Sequence, residues 1–154
     1  MTTNNENNPR QENCPWLMPI LYVSDIQKSI DFYQSAFGFT SDMEMKDDDG
    51  SLSFAEIKYK GIMLFMILRE GSEMATEGVV SPVSSRTAPP ISLYVYCDDI
   101  EALTQQAKQN YARIVSAPED APWGDRTAVL KDPDDFTWCF ATKIANFEGQ
   151  QKTA

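Results

Sequence analysis

The sequence predicts an α+β fold of two βαβββ modules forming a cupped mixed sheet, and three observations predict it. The half from Pro15 to about Glu70 reads as a strand, an amphipathic helix and three further strands. Sliding the chain along itself by 74 residues puts Tyr22 on Tyr96, Asp25 on Asp99 and Ile26 on Ile100, so the second half repeats the first. The 154 residues make one domain of ordinary size, enough for two half-units that share a core and too few for two independent domains.

Residues 1–14, rich in Asn and Gln, read as a disordered tail; 15–147 form the single domain, with modules at about 15–70 and 90–147; 148–154 form a second tail. The segment PWLMPILYV is the first strand, and Ser24-Asp25 caps the helix that follows. Within DIQKSIDFYQSAFGF, Ile26, Ile30, Tyr33 and Phe37 recur at helical spacing, Phe32 widens that stripe and Gly38 ends it. Strands follow around Phe39–Met45, Leu52–Lys58 and Ile62–Leu68, with DDDG at 47–50 and Tyr59-Lys60-Gly61 as turns. The polar stretch 70–90, carrying Gly, Pro and Ser, reads as a linker with a mobile loop. Beyond it the same shift lays the helix onto Asp99–Tyr111 and, without a gap, the last hairpin onto Arg126–Asp132 and Phe136–Thr142.

Composition narrows the chemistry. The net charge of −10 argues against a nucleic-acid partner, whose phosphates demand a basic surface. No apolar run is long enough to span a membrane and no charged-then-apolar leader is visible, so a cytoplasmic protein without a membrane partner is expected. Cys14, Cys97 and Cys139 are few, far apart and odd in number, which suggests reduced thiols rather than a disulfide framework or a thiolate zinc cage. The chain contains no histidine. Ser/His/Asp and Cys/His nucleophilic machinery, the HExxH zinc motif and imidazole proton shuttles are therefore excluded.

Strand side chains alternate between faces. That parity assigns Leu17, Leu21 and Val23 to the helix side and Met18, Ile20 and Tyr22 to the concave side. The shift carries Ser92, Tyr94 and Tyr96 to the hollow and Ile91, Leu93 and Val95 to the helix side. Met63, Phe65 and Ile67, with Thr137, Cys139 and Ala141, complete the hollow. Such an apolar, aromatic, Met-lined face suits a small-molecule ligand, although the same residue types also build an ordinary core.

The segments MPILYVSDIQKSIDFYQSAFGF and PWGDRTAVLKDPDDFTWCFAT, within roughly residues 16–144, resemble the glyoxalase/bleomycin-resistance/extradiol-dioxygenase superfamily, whose vicinal oxygen chelate fold pairs βαβββ modules. The resemblance implies fold more than function, since that superfamily spans lyases, dioxygenases, epimerases, thiol transferases and metal-free drug binders. Its metalloenzymes take four ligands from equivalent strands, and those positions map here to Met18, Ser92, Cys139 and Phe65. None is His or Glu, so no metal or other cofactor is expected. Pro19 in the first strand, the helix ending FY…GF, and Pro122-Trp123-Gly124 with Arg126 are most similar to the bleomycin-resistance proteins. That similarity implies a homodimer, with an exchanged N-terminal arm, that sequesters a hydrophobic or cationic drug in interfacial grooves. Asp135-Phe136 stands where the family usually has Gly-Asn, a departure that puts the turn geometry in question.

The candidate ligand-binding set is thus Trp123, Met18, Tyr22, Met63, Phe65, Tyr94, Tyr96, Cys139 and Asp125. Trp123 suits stacking on a planar ligand or packing at a dimer rim; Trp138 suits the core, and Trp16 a dimer contact. Asp125 is placed to meet a cationic group or to pair with Arg126. Cys139, with no neighbouring cation in sequence, reads as an inert thiol. Glu56, flanked by apolar residues, is the acid that a metal-independent lyase or isomerase would use, with a solvent-facing position as the alternative. Asp47-Asp48-Asp49 lacks calcium-loop spacing and reads as a hairpin tip. A ligand-sensing protein is the third class consistent with these residues.

Overall fold

The computed structural model describes residues 8–147. The first module contains β1 (Ile20–Val23), α1 (Ile26–Phe32), β2 (Thr40–Lys46), β3 (Leu52–Tyr59) and β4 (Ile62–Arg69). After a short α2 (Pro82–Ser85), the second contains β5 (Ser92–Tyr96), α3 (Ile100–Gln109), β6 (Arg113–Asp120), β7 (Asp125–Lys131) and β8 (Thr137–Lys143). Each module forms its own four-stranded mixed sheet, in the orders β1-β4-β3-β2 and β5-β8-β7-β6. In each, the first strand lies at an edge, parallel to the last. Asp25 and Asp99 cap their helices identically, accepting from the backbone N–H of Lys28 and Ala102.

Tyr33–Phe37 does not continue α1 as an α-helix but widens into a π-turn, closed by Gly38 in the left-handed region at φ 71°. The turn delivers Tyr33 and Phe37 to a core shared by both modules. Phe37 packs on Phe140 with ring centroids 4.7 Å apart, and Phe65 on Trp138 at 5.2 Å. The helix-side faces of both sheets therefore meet each other, and the concave faces turn away from that core.

The DPDD turn at 132–135 fastens the modules. Asp132 accepts from the Tyr33 hydroxyl at 2.7 Å and the Trp138 indole N–H at 2.9 Å, and from the backbone N–H groups of Asp134 and Phe136. Asp134 accepts from the Ser24 backbone N–H and hydroxyl at 2.9 and 2.8 Å. Asp135 takes the left-handed conformation, φ 69°, that the family's glycine would supply, so the turn keeps its shape despite the substitution.

Three expectations need correction. The ungapped shift holds for β1 and the helices, but β3 and β4 align one residue earlier: Ala55↔Ile67 corresponds to Ala128↔Phe140, and Ile57↔Phe65 to Leu130↔Trp138. A one-residue slip exchanges every side chain between faces. Phe65, 2% exposed, and Ile67 are consequently core residues, and the concave counterpart of Cys139 is Met66. Leu17 precedes β1 and is 83% exposed instead of lying under α1; Ile91, likewise just before β5, is exposed. Segment 70–90 carries α2 and is pinned rather than loose. Tyr22 Oη donates to Thr76 Oγ1 at 3.1 Å, the Ser81 N–H donates to Glu70, and the Val83 N–H to the Asp134 carbonyl. The tail expected at 148–154 and the first seven residues of the tail at 1–14 lie outside the described residues. Residues 8–14 make turns, with Arg10 donating to the Cys14 carbonyl at 2.7 Å. Among the described residues no helix is long and apolar enough to cross a membrane.

Candidate functional site

The concave face of the first sheet is set by the even-numbered residues of β1, β3 and β4. Beside it, the chain from Arg10 to Pro15 borders a half-open cavity of about 870 Å³. Met18, Met43, Met63 and Met66 line it, with Glu56, Lys58 and Asp42 among its polar groups. Met63 joins the lining because a register shift between Ile57 and Lys58 pairs it with Lys58. Lys58 forms an ion pair with Asp42. Four thioethers give a deformable apolar wall, suited to flat or irregular ligands.

The concave face of the second sheet carries a different constellation. Asp125 begins β7 and is 4% exposed. Its Oδ2 accepts from Tyr94 Oη at 2.6 Å and from Tyr96 Oη at 2.9 Å, while Trp123 Nε1 donates to Tyr94 Oη at 3.0 Å. The two tyrosine rings meet edge-to-face at 5.6 Å. Burial, and then the bond to Asp125, push the Tyr94 hydroxyl up to about 12; the bond to Asp125 also raises Tyr96. Both phenols therefore stay protonated donors at neutral pH. Burial raises the Cys139 thiol, and the Asp125 charge raises it further, which removes thiolate chemistry.

The expected ion pair between Asp125 and Arg126 does not form. Alternation along β7 sends Arg126 to the other face, where it binds Glu101 at 2.6 Å and Asp120 at 2.8 Å. The expected set thus divides. Tyr94, Tyr96, Trp123, Asp125 and Cys139 share the second face, Met18 and Met63 line the first cavity, Tyr22 holds the 70–90 segment, and Phe65 belongs to the core. Met66 and Met43 escaped the sequence reading. The signal for Met66 was present, because matching Phe65 and Ile67 to Trp138 and Phe140, large apolar residue on large apolar residue, requires the one-residue offset.

A divalent metal does not fit the inherited ligand positions. With the register corrected they are Met18, Met66, Ser92 and Cys139, which offer two thioethers, a hydroxyl and a thiol whose pKa is raised. These are poor donors for a hard or borderline cation. Among the described residues no group of three or more His, Cys, Asp or Glu is arranged to hold a metal ion.

Comparison with known proteins gives a consistent picture. Residues 15–140 match the family model described as the Glyoxalase/Bleomycin resistance protein/Dioxygenase superfamily. The chain is 32% identical over 130 residues to the uncharacterized protein Mb0911c of Mycobacterium bovis, covering 84% of each. It has the same identity to Rv0887c of Mycobacterium tuberculosis, covering 75% of that protein. Among solved structures, TioX from Micromonospora sp. ML1 superposes with a TM-score of 0.64 at 19% identity, over 83% of this chain and 99% of that one. A glyoxalase/bleomycin resistance protein/dioxygenase from Nocardioides superposes with a TM-score of 0.61 at 18% identity, over 90% of each chain. At these identities the structural matches bear on fold alone.

Proposed function

The chain belongs to the glyoxalase/bleomycin resistance protein/dioxygenase superfamily, and from that premise we propose that it binds and sequesters a small amphipathic compound of the bleomycin type without a metal. The observation that carries this reading is the replacement of all four inherited ligand positions by Met18, Met66, Ser92 and Cys139, on one face that carries methionines and another that carries Tyr94, Tyr96 and Trp123. A ligand burying about 300 Å² of apolar surface there gains roughly 7 kcal/mol before association entropy is subtracted, which suffices for useful affinity. The net charge of −10 favours encounter with a cationic drug.

The working unit in this proposal is a homodimer. Among the described residues β1 and β5 have no strand on their outer edges, and exposed apolar residues cluster beside them: Trp16, Leu17 and Ile20 at one, Ile91, Tyr94 and Tyr96 at the other. Such edges call for a covering partner. A second copy joining β1 to β5 brings the Met-lined face of one protomer toward the aromatic face of the other, whereas within one chain the residues lining the cavity come from the first module and the segment that precedes it.

The test is a fluorescence titration of the full chain with metal-free bleomycin. Saturable quenching, weakened about tenfold or more in Trp123→Ala without a change in unfolding midpoint, supports the proposal; unchanged affinity in the variant removes Trp123 from the site. One observation favours a second reading: Glu56 lines the cavity, where a lyase or isomerase would hold a base. Turnover of a hemithioacetal that is lost in Glu56→Gln would establish that reading instead.

A further inference from the structure

We propose that the second concave face is a recognition pocket for a substituted ammonium group, a secondary or tertiary amine in its protonated form, with Asp125 as counter-ion and Tyr94, Tyr96 and Trp123 as its aromatic surround. The inference rests on the ligand-binding reading above and specifies which chemical group this face reads.

Asp125 is a carboxylate withdrawn from water, yet among the described residues no lysine or arginine lies within ion-pair distance of it. Buried charges are costly unless paired, and Arg126, next in the chain, is committed to Glu101 and Asp120. Two phenols satisfy Oδ2. Among the described residues nothing donates to Oδ1, so one acceptor remains beside an aromatic cluster that is open to a ligand: Tyr94, Tyr96 and Trp123 all keep large exposed fractions.

The chemistry of that remaining acceptor selects the ligand. An anion meets the Asp125 charge and is repelled. A metal ion finds no cluster of donors. A guanidinium ion binds carboxylates best through both oxygens, and Oδ2 is already occupied by Tyr94 and Tyr96. A primary ammonium carries three N–H groups and lacks the second N-alkyl group that would lie against the rings. A secondary or tertiary ammonium has an N–H for Oδ1 and N-alkyl groups that share its charge and sit well against electron-rich rings. The phenols hold the carboxylate in place and stay protonated well above neutral pH, so neither adds a negative charge beside Asp125.

The experiment uses the full chain and three probes with a common eight-carbon tail: N,N-dimethyloctylamine, octylguanidine and the neutral N,N-dimethyloctanamide. Binding is followed by calorimetry at neutral pH, where the first two are protonated. We expect the tertiary ammonium to bind at least tenfold more tightly than the guanidinium and the amide. In Asp125→Asn, which keeps an acceptor for both phenols, that advantage should fall to within about twofold. Tyr96→Leu should weaken the ammonium and leave the amide unchanged. Equal affinity for ammonium and amide in the unsubstituted protein overturns the proposal without requiring any variant to fold, as does an unaltered preference in Asp125→Asn. Metal-free bleomycin, titrated alongside, separates this inference from the one beneath it. Drug binding that persists while the ammonium preference is absent sinks the pocket assignment and spares sequestration. An Asp125-dependent ammonium preference without drug binding upholds the pocket and removes the drug.

Discussion

Single residues in this chain divide into those whose role the sequence disclosed and those whose role depends on distant neighbours. Trp138 in the core, and the two helix-capping aspartates, follow from local pattern. Asp125 does not: its burial and its two phenolic partners come from β5, some thirty residues away, and no local signal separates it from a surface turn. Asp132 makes the same point with a pH consequence. Burial lifts its carboxyl to about 6 despite four hydrogen bonds that favour the anion. The folded state therefore binds a proton that the unfolded chain releases near 3.8, and stability falls as pH rises from about 4 to 6. The loss from this group is about 3 kcal/mol, and urea unfolding of Asp132→Asn across that window should show the slope removed. Gly124 gives a second expectation. Its φ is +91°, and an added Cβ would lie 2.6 Å from the Ala145 carbonyl oxygen. Gly124→Ala should cost about 2 kcal/mol in a denaturant melt and displace the adjacent Trp123 and Asp125.

At the scale of elements, the repeat predicted the strands and the two longer helices but not α2, and the bounds agree with the structure to within a residue or two along β2, β3 and β4. Facing was the weak link. The offset enters between the first helix and β2, where the first module, with its π-turn at Tyr33–Phe37, has one residue more than the second, and an ungapped alignment passes over that difference. The ladder shows that Phe65 and Met66 have exchanged places. Truncating each tests the register. Phe65→Ala should lower unfolding stability by about 4 kcal/mol, the cost of emptying an aromatic core site. Met66→Ala should change stability little and weaken ligand binding. The reverse pattern would restore the ungapped alignment. The π-turn at Tyr33–Phe37 was likewise hidden, since apolar spacing of three and four residues is shared by α- and π-wound turns.

For the molecule as a whole, fold was more legible than function, because two imperfect copies of one pattern constrain topology while the chemistry of the site rests on a few side chains. The zero count of histidine excluded the largest classes of mechanism from composition alone. The division into two outward-facing hollows could not be read from the chain, because it depends on which faces of the two sheets pack together. Homodimerisation through β1 and β5 predicts a mass near twice 17.4 kDa in sedimentation, shifted toward monomer by Ile20→Lys, which charges an exposed edge without touching the core. Capture of a ligand without a metal is tested by calorimetric titration of chelator-treated protein with metal-free bleomycin. Saturation near one drug per chain is expected, with the same affinity whether chelator or Zn²⁺ is present. Binding that appears only on restoring Zn²⁺ or Ni²⁺, at one ion per site, would contradict it.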